Sequence, residues 1–330
     1  MPKETTSVKN QRFNIARDII KDILFTADFK VTKKIKFGPR YYVAEGILNH
    51  RKTVFKICLF SDSVDHLTNE KFSREILFLN FIKQSSSNYL KATVPHLHAF
   101  GLKPRAWYIR EYLYGQAENI AGGNVKFKNR FFNQRNLGSI IKLFTSLQSI
   151  KRPDLPGNFQ KLLYPPDFTK HLWRFIRPHW QRIEHYMKWP GLASLIKKEF
   201  KRYAPIYNHA PHVLAHQEPY APHFLKIKNG FHLIDWENVG WSNPTHDIVV
   251  LWMRAYQHPE WQKQLYQRFK RYWHHYKKFD DLWTIEVLIQ SVFNVIGWHF
   301  YNDKQDFKGL VKFSDKKIRE ILANNFKIYN

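Results

Sequence analysis

Residues 216–247 read HQEPYAPHFLKIKNGFHLIDWENVGWSNPTHD. With the strand-like HVLAH that leads into it, the run parses as strand, polar loop, short hairpin, carboxylate-bearing turn and helix start. Glu218 and His223 stand five residues apart, and Asp235 follows the strand FHLI twelve residues beyond His223. Glu218, His223, Asp235 and Asp247 are thus carried by one compact unit. Glu218, His223 and Asp235 look like a base and two metal ligands for phosphoryl transfer. That chemistry asks little of a protein: a cation on the nucleotide phosphates, ligands for Mg²⁺, and a carboxylate to orient or deprotonate the acceptor hydroxyl.

Upstream, residues 29–60 alternate as strands do, in FKVTKKIKF, RYYVAEGIL and KTVFKICLF, with Gly38-Pro39 and Asn49-His50 as turns. A helix is expected at about 65–84, and two further strands around PHLHAFGL and AWYIREYLY, giving a five-strand sheet that ends near Gly115. On the helix, positions 72, 75, 76, 79 and 82 share one face, and all except Glu75 are apolar. An ionised carboxylate on such a stripe needs a partner. Lys56, nineteen residues upstream on the preceding strand, can supply one, although strand alternation equally allows it to point outward and Glu75 to sit at the rim of the stripe.

Beyond the polar stretch 115–136 the pattern turns helical, at about 137–149, 167–188 and 191–203, and again at about 246–256, 259–277, 281–301 and 314–325. The expected architecture is α+β and bilobal: a helical segment over 1–28, a small β-rich N-lobe over 29–114, and a larger, mostly helical C-lobe over 115–330. Ile15, Ile19, Ile20, Ile23 and Leu24 follow helical spacing, so the first segment should pack as a surface helix on the body. A single cysteine, Cys58, excludes a disulfide framework and a cysteine-based zinc site, and fits a reducing cytoplasm. No run is long enough to span a bilayer.

The spacing of HQEPYAPH and IDWE resembles the aminoglycoside and macrolide phosphotransferase family, which has a protein-kinase-like fold. That family's run is His-Gly-Asp, four variable residues and Asn or His, then a hairpin ending Ile-Asp-Trp-Glu. GWSNPTHDIVVLW is similar to the Gly-x-x-x-Pro-x-x-Asp that follows. The resemblance implies a bilobal kinase-like fold and a transfer of the γ-phosphate of ATP or GTP to a hydroxyl of a small acceptor. It implies Glu218 at the catalytic-base position, His223 and Asp235 as metal ligands, and Asp247 as a brace of the catalytic loop. Lys56 and Glu75 become the phosphate-positioning ion pair, and residues 110–115, with Arg110, Glu111 and Tyr112, the hinge beside the adenine.

Three positions depart from that pattern. Glu218 stands where the family carries Asp, and the extra methylene moves the carboxylate by about an ångström, a scale that can cost about a hundredfold in rate. The alternative is therefore a catalytically impaired pseudokinase that keeps nucleotide binding or a regulatory role. His223 is a less natural Mg²⁺ ligand than an oxygen and tilts the site towards Mn²⁺. Gln217 replaces a glycine and crowds the turn. The loop KFGPRYY offers Gly38 alone, short of a glycine-rich phosphate cradle. His216 reads as a structural residue beneath the loop, and Asp247 has a second reading, as a first-turn carboxylate offsetting the helix dipole.

The net charge of +26, from 53 Lys and Arg against 27 Asp and Glu, is dispersed along the chain. It reads as a solvated basic surface, with nucleic acid or an anionic membrane as the alternative partner. The segment HLWRFIRPHWQRIEHYMKW interleaves rings with basic residues. It reads as a helix burying rings on one face, with membrane-surface or nucleic-acid stacking as its other use.

Overall fold

The computed structural model describes residues 6–37, 40–60, 66–85, 87–103, 105–120, 126–163, 176–228, 230–300 and 305–328. The chain folds into two compact units. The first takes residues 1–115, 155–163 and 232–239; the second takes 116–154, 164–231 and 240–330.

In the first unit, helix α1 (Thr6–Thr26) precedes strands β1 (Lys30–Phe37), β2 (Tyr41–Leu48) and β3 (Arg51–Cys58). Helices α2 (His66–Gln84) and α3 (Asn88–Thr93) follow, then β4 (Leu97–Gly101) and β5 (Trp107–Glu111). The strands form one five-stranded antiparallel sheet in the order β1-β2-β3-β5-β4. Asn49 and His50 both take positive φ, 49° and 62°, between the paired Leu48 and Arg51. That is the two-residue hairpin turn whose twist matches antiparallel strands. The short helix α3 has no counterpart in the sequence pattern.

The central strand β3 is buried along most of its length, because helices cover both faces of the sheet. On one side Phe55, Ile57, Tyr42, Ala44 and Ile109 close a core with Ala16 and Ile20 of α1, against which Ile19, Ile23 and Leu24 also pack. On the other side Lys56 meets α2, whose Phe72, Ile76, Leu79 and Ile82 are all buried. Later in the chain the short helix α5 (Gly157–Gln160) brings Phe159 to Phe78 of α2, with ring centroids 6.4 Å apart. On that same helix Phe78 stacks at 4.3 Å on Trp236, which is fully buried.

The second unit holds β6 (Gln116–Ala117), α4 (Gln134–Gln148), α6 (Trp180–Met187) and α7 (Leu192–Asn208). Strands β7 (Val213–Ala215), β8 (Phe224–Ile227), β9 (Gly230–Leu233) and β10 (Gly240–Ser242) follow, with β9 ending in the part of the chain that belongs to the first unit. Helices α8 (His246–Arg254), α9 (Pro259–Tyr272), α10 (Phe279–Phe300) and α11 (Gln305–Leu322) complete it. The last helix therefore starts nine residues earlier than the sequence pattern suggests. Of the aromatic-basic run at 171–189, residues 171–175 lie outside the described residues; α6 carries the rest after a 3₁₀ turn at Arg177–His179. Rings dominate the core: Trp252 and Trp283 meet edge to face, and Tyr266 and Phe279 pack on Trp283. No helix among the described residues is long and apolar enough to cross a membrane.

Candidate active site

In the first unit the chemistry gathers around Lys56. Register places Lys56 in the middle of the sheet, opposite Val43 on β2 and Tyr108 on β5. Its ammonium lies 2.9 Å from Glu75 Oε2 and 3.8 Å from Asp235 Oδ1. Three rings wall it in, with centroids at 4.5 Å for Tyr41, 4.8 Å for Phe72 and 5.8 Å for Tyr108. Glu75 accepts from Tyr108 as well, at 3.4 Å on its other oxygen. Tyr41 donates to Glu237 Oε2 at 2.8 Å, which ties the end of β2 to the IDWE segment.

These contacts shape the charges. Burial pulls the Lys56 ammonium down, but Glu75, Tyr108, Asp235 and Tyr41 push it up and prevail, so it stays protonated well above the usual lysine range. Burial pushes the Glu75 carboxyl up, with Asp235 adding to the effect, while Lys56 holds it down. The Tyr108 hydroxyl is pushed up to about 12 by burial and by Glu75. A cation in a dry ring-lined box keeps its charge here because a carboxylate shares the box.

Asp235 takes φ 67°, in the left-handed region, at the head of the 3₁₀ turn Trp236–Asn238. Aspartate tolerates that region better than most residues. Its side chain is 37% exposed, while Trp236 behind it is buried and donates its indole N–H to Leu233 O at 2.8 Å. A solvent-reaching carboxylate beside a retained cation suits a divalent metal that completes its shell with phosphates and water. Among the described residues no cluster of three or more His, Cys, Asp and Glu is found.

At the sheet end, the Glu111 N–H donates to His96 O at 2.9 Å and the His96 N–H to Glu111 Oε1 at 2.6 Å. Arg110 Nη1 donates to Glu111 O at 2.9 Å, and the Tyr112 N–H to Lys52 O at 3.2 Å. Lys52 also stands 3.6 Å over the Tyr112 ring. The polar groups at 110–112 are thus largely spoken for within the sheet. Gly38 lies outside the described residues.

In the second unit, β7 pairs with β10 in antiparallel register, Ala215 opposite Gly240, and the loop 216–223 leaves the end of β7. His216 is fully buried, and its Nδ1 accepts the Glu218 N–H at 3.3 Å. Asp247, in the first turn of α8, takes the His216 N–H at 2.7 Å and the Gln217 N–H at 2.8 Å. Burial pushes its carboxyl up, against His246 and those two N–H groups. Gln217 sits at φ 69°, where a side chain costs roughly 1–2 kcal/mol. The Glu218 carbonyl accepts from the Tyr220 N–H at 2.7 Å and lies 2.7 Å from His223 Nδ1. A carbonyl only accepts, so Nδ1 carries the proton and Nε2 keeps the lone pair in the neutral ring. That tautomer suits a metal ligand.

Lys56, Glu75 and Asp235 are therefore brought together in the first unit, and Glu218, His223 and Asp247 in one loop and helix start of the second. The sequence reading missed four contributors. Tyr41, Tyr108 and Glu237 gave no periodic signal. Glu286, fully buried on α10, did: it is a lone carboxylate in the apolar run WTIEVLIQ, the same signature that singled out Glu75. It lies 2.9 Å from His246 Nδ1, and the His246 imidazole is pulled down by burial but pushed up by Glu286, to about 9 overall.

A β-sheet unit presenting a lysine–glutamate pair, followed by a helical unit presenting a loop with Glu218 and His223, defines a protein-kinase-like phosphotransferase fold. The sequence model of the phosphotransferase enzyme family (APH) matches residues 67–282, and the chain belongs to that family. Solved structures agree at the level of fold. Aminoglycoside phosphotransferase APH(2'')-Ib, ADP-bound, aligns with a TM-score of 0.58 and 13% identity, over 94% of this chain and 99% of that one. A thermostable mutant of aminoglycoside phosphotransferase APH(4)-Ia, in ternary complex with ADP and hygromycin B, aligns with a TM-score of 0.56 and 10% identity, over 93% and 98%. Choline kinase LicA from Streptococcus pneumoniae aligns with a TM-score of 0.55 and 13% identity, over 93% and 99%. No curated protein matches the sequence.

Proposed function

We propose that the chain transfers the γ-phosphoryl group of ATP or GTP to a hydroxyl of a small molecule. The observation that carries this reading is the Lys56–Glu75 pair with Asp235 beside it: a cation kept charged in a ring-lined box, next to a carboxylate that reaches solvent. Lys56 positions the phosphates, and Glu75 holds Lys56 in place. Asp235 would hold Mg²⁺ in the first unit, and the Nε2 of His223 is the metal-ligand candidate of the second, its imidazole being better suited to Mn²⁺. The metal would neutralise charge on the phosphates. Residues 110–115, with Arg110, Glu111 and Tyr112, line the adenine. Glu218 orients the acceptor hydroxyl and takes its proton, and Asp247 braces the loop that carries Glu218. The single cysteine, Cys58, is buried and fits a cytoplasmic setting.

That nucleotide-bound aminoglycoside kinases and a choline kinase share the fold supports a nucleotide donor and a small acceptor. The test is phosphate transfer from Mg·ATP and Mg·GTP to a panel of aminoglycosides, macrolides and amino alcohols. Glu218→Ala should lower kcat by about 10²–10⁴-fold, the usual worth of a general base. Lys56→Met and Asp235→Asn should weaken nucleotide binding together. Tight nucleotide binding with no transfer in the wild type or in Glu218→Asp would sink the reading in favour of the catalytically impaired alternative, which no present observation favours.

A further inference from the structure

Both backbone polar groups of Gln217 are held by consecutive residues of α8. The N–H donates to Asp247 Oδ1 at 2.8 Å, and the carbonyl lies 3.4 Å from His246 Nε2. The other ring nitrogen of His246, Nδ1, lies 2.9 Å from Glu286 Oε1. A carbonyl and a carboxylate both only accept, so each ring nitrogen carries a proton and His246 is an imidazolium. Glu286 is in turn saturated: Asn243 Nδ2 donates to it at 2.8 Å and Gln290 Nε2 at 2.9 Å. Asn243 is fixed from its other end by the Thr245 N–H and hydroxyl, at 2.8 and 2.6 Å. A fully satisfied buried network of this kind holds one geometry rather than several.

What the network holds is a residue in an unfavourable conformation. Gln217 sits at φ 69° directly before Glu218, in a region that glycine enters freely and a residue with a Cβ does not. Without a clamp, Gln217 would relax towards negative φ and swing the next side chain off its direction. We infer that His246, charged and anchored by Glu286, is a positioning residue for Glu218: it fixes the Gln217 carbonyl while Asp247 fixes the Gln217 N–H, and together they supply the turn that a glycine would otherwise give. This rests on the reading of Glu218 as the group that orients the acceptor.

The clamp predicts a specific rescue. His246→Gln in the full-length chain should raise hydrogen exchange of the amides of Gln217 and Glu218 at least tenfold, with α9 and α10 unchanged. In the transfer assay it should lower kcat about tenfold or more while the nucleotide KM stays within twofold. Adding Gln217→Gly to His246→Gln should restore both protection and kcat, because glycine enters the left-handed turn without a Cβ penalty and Asp247 still holds the N–H of residue 217. A network that merely stabilises the fold would not be rescued this way. If His246→Gln does not fold alone, the double variant and the isosteric Glu286→Gln give the same comparison. Unchanged loop exchange in either His246→Gln or Glu286→Gln, or a loss that Gln217→Gly does not lift, overturns the clamp. Lost protection together with a transfer rate indifferent to Glu218→Ala leaves the clamp standing and removes the base reading instead. The two failures are therefore distinguishable.

Discussion

At the scale of single residues, the His246–Glu286 pair makes stability depend on pH in a defined direction. The folded-state value of His246, about 9, lies above its ordinary 6.5. Its contribution is therefore complete below about pH 6.5 and is lost as pH rises through about 9. The gap corresponds to about 3 kcal/mol for this part-buried group, whose side chain is 18% exposed. Glu286 is shifted up by burial but pulled further down by His246, Gln290 and Asn243, so its contribution is present at neutral pH and lost on acidification. Urea unfolding of wild type at pH 6 and pH 10 should show the loss, and Glu286→Gln should remove most of it. Equal slopes with pH in the two proteins would refute the assignment. The same residue scale explains why Asp247 has one more task than its helix position suggests. It caps no free helix end with its side chain; it takes two N–H groups of the loop, which lie about thirty residues upstream.

At the scale of elements, α2 shows what the sequence can and cannot disclose. Its stripe of Phe72, Ile76, Leu79 and Ile82 was legible from spacing, and Glu75 stood out because it broke the stripe. The opposite side of the same helix was not legible. Leu77 and Phe78 are also buried, since Trp236 and Phe159 arrive from segments far along the chain. Periodicity reports which face is apolar but not what will cover a second face. Likewise the pairing of β7 with β10 joins three-residue strands, too short for alternation to register. Trp236 connects this packing to the site, because it directly follows Asp235. Trp236→Ala should cost about 3–5 kcal/mol of stability, as for other buried aromatics, whereas Trp236→Phe should cost less. Nucleotide affinity should weaken in the alanine variant as Asp235 loses its backing. Chemical denaturation and nucleotide titration would test both; an alanine variant with unaltered affinity would separate Trp236 from Asp235.

At the scale of the whole molecule, the charge of +26 is compatible with two uses. We expect it to act as a solvated surface, so binding to duplex DNA or to acidic vesicles should be weak and should vanish between about 50 and 200 mM salt. The nucleotide binding proposed at Lys56, whose ammonium is paired with Glu75, should change far less over that range. Micromolar DNA binding that survives 200 mM salt would assign the charge a partner instead. The family and the fold class were legible because HQEPYAPH, IDWE and GWSNPTHD keep fixed spacing over a short run. The clamp at Gln217 was hidden because it depends on a carboxylate contributed by α10, forty residues away from the histidine it charges.

The first unit draws on residues 155–163 and 232–239 as well as on the amino-terminal 115. During synthesis this has a consequence in time. When the five strands have left the ribosome, Phe78 still lacks both of its late-arriving rings, and Lys56 has Glu75 but not Asp235. The nascent amino-terminal portion must wait, partly dressed, for well over a hundred further residues before its core closes. Such a chain needs protection from aggregation while it waits. A fragment ending at residue 115 should be recovered as an insoluble or chaperone-bound species, not as a small free domain.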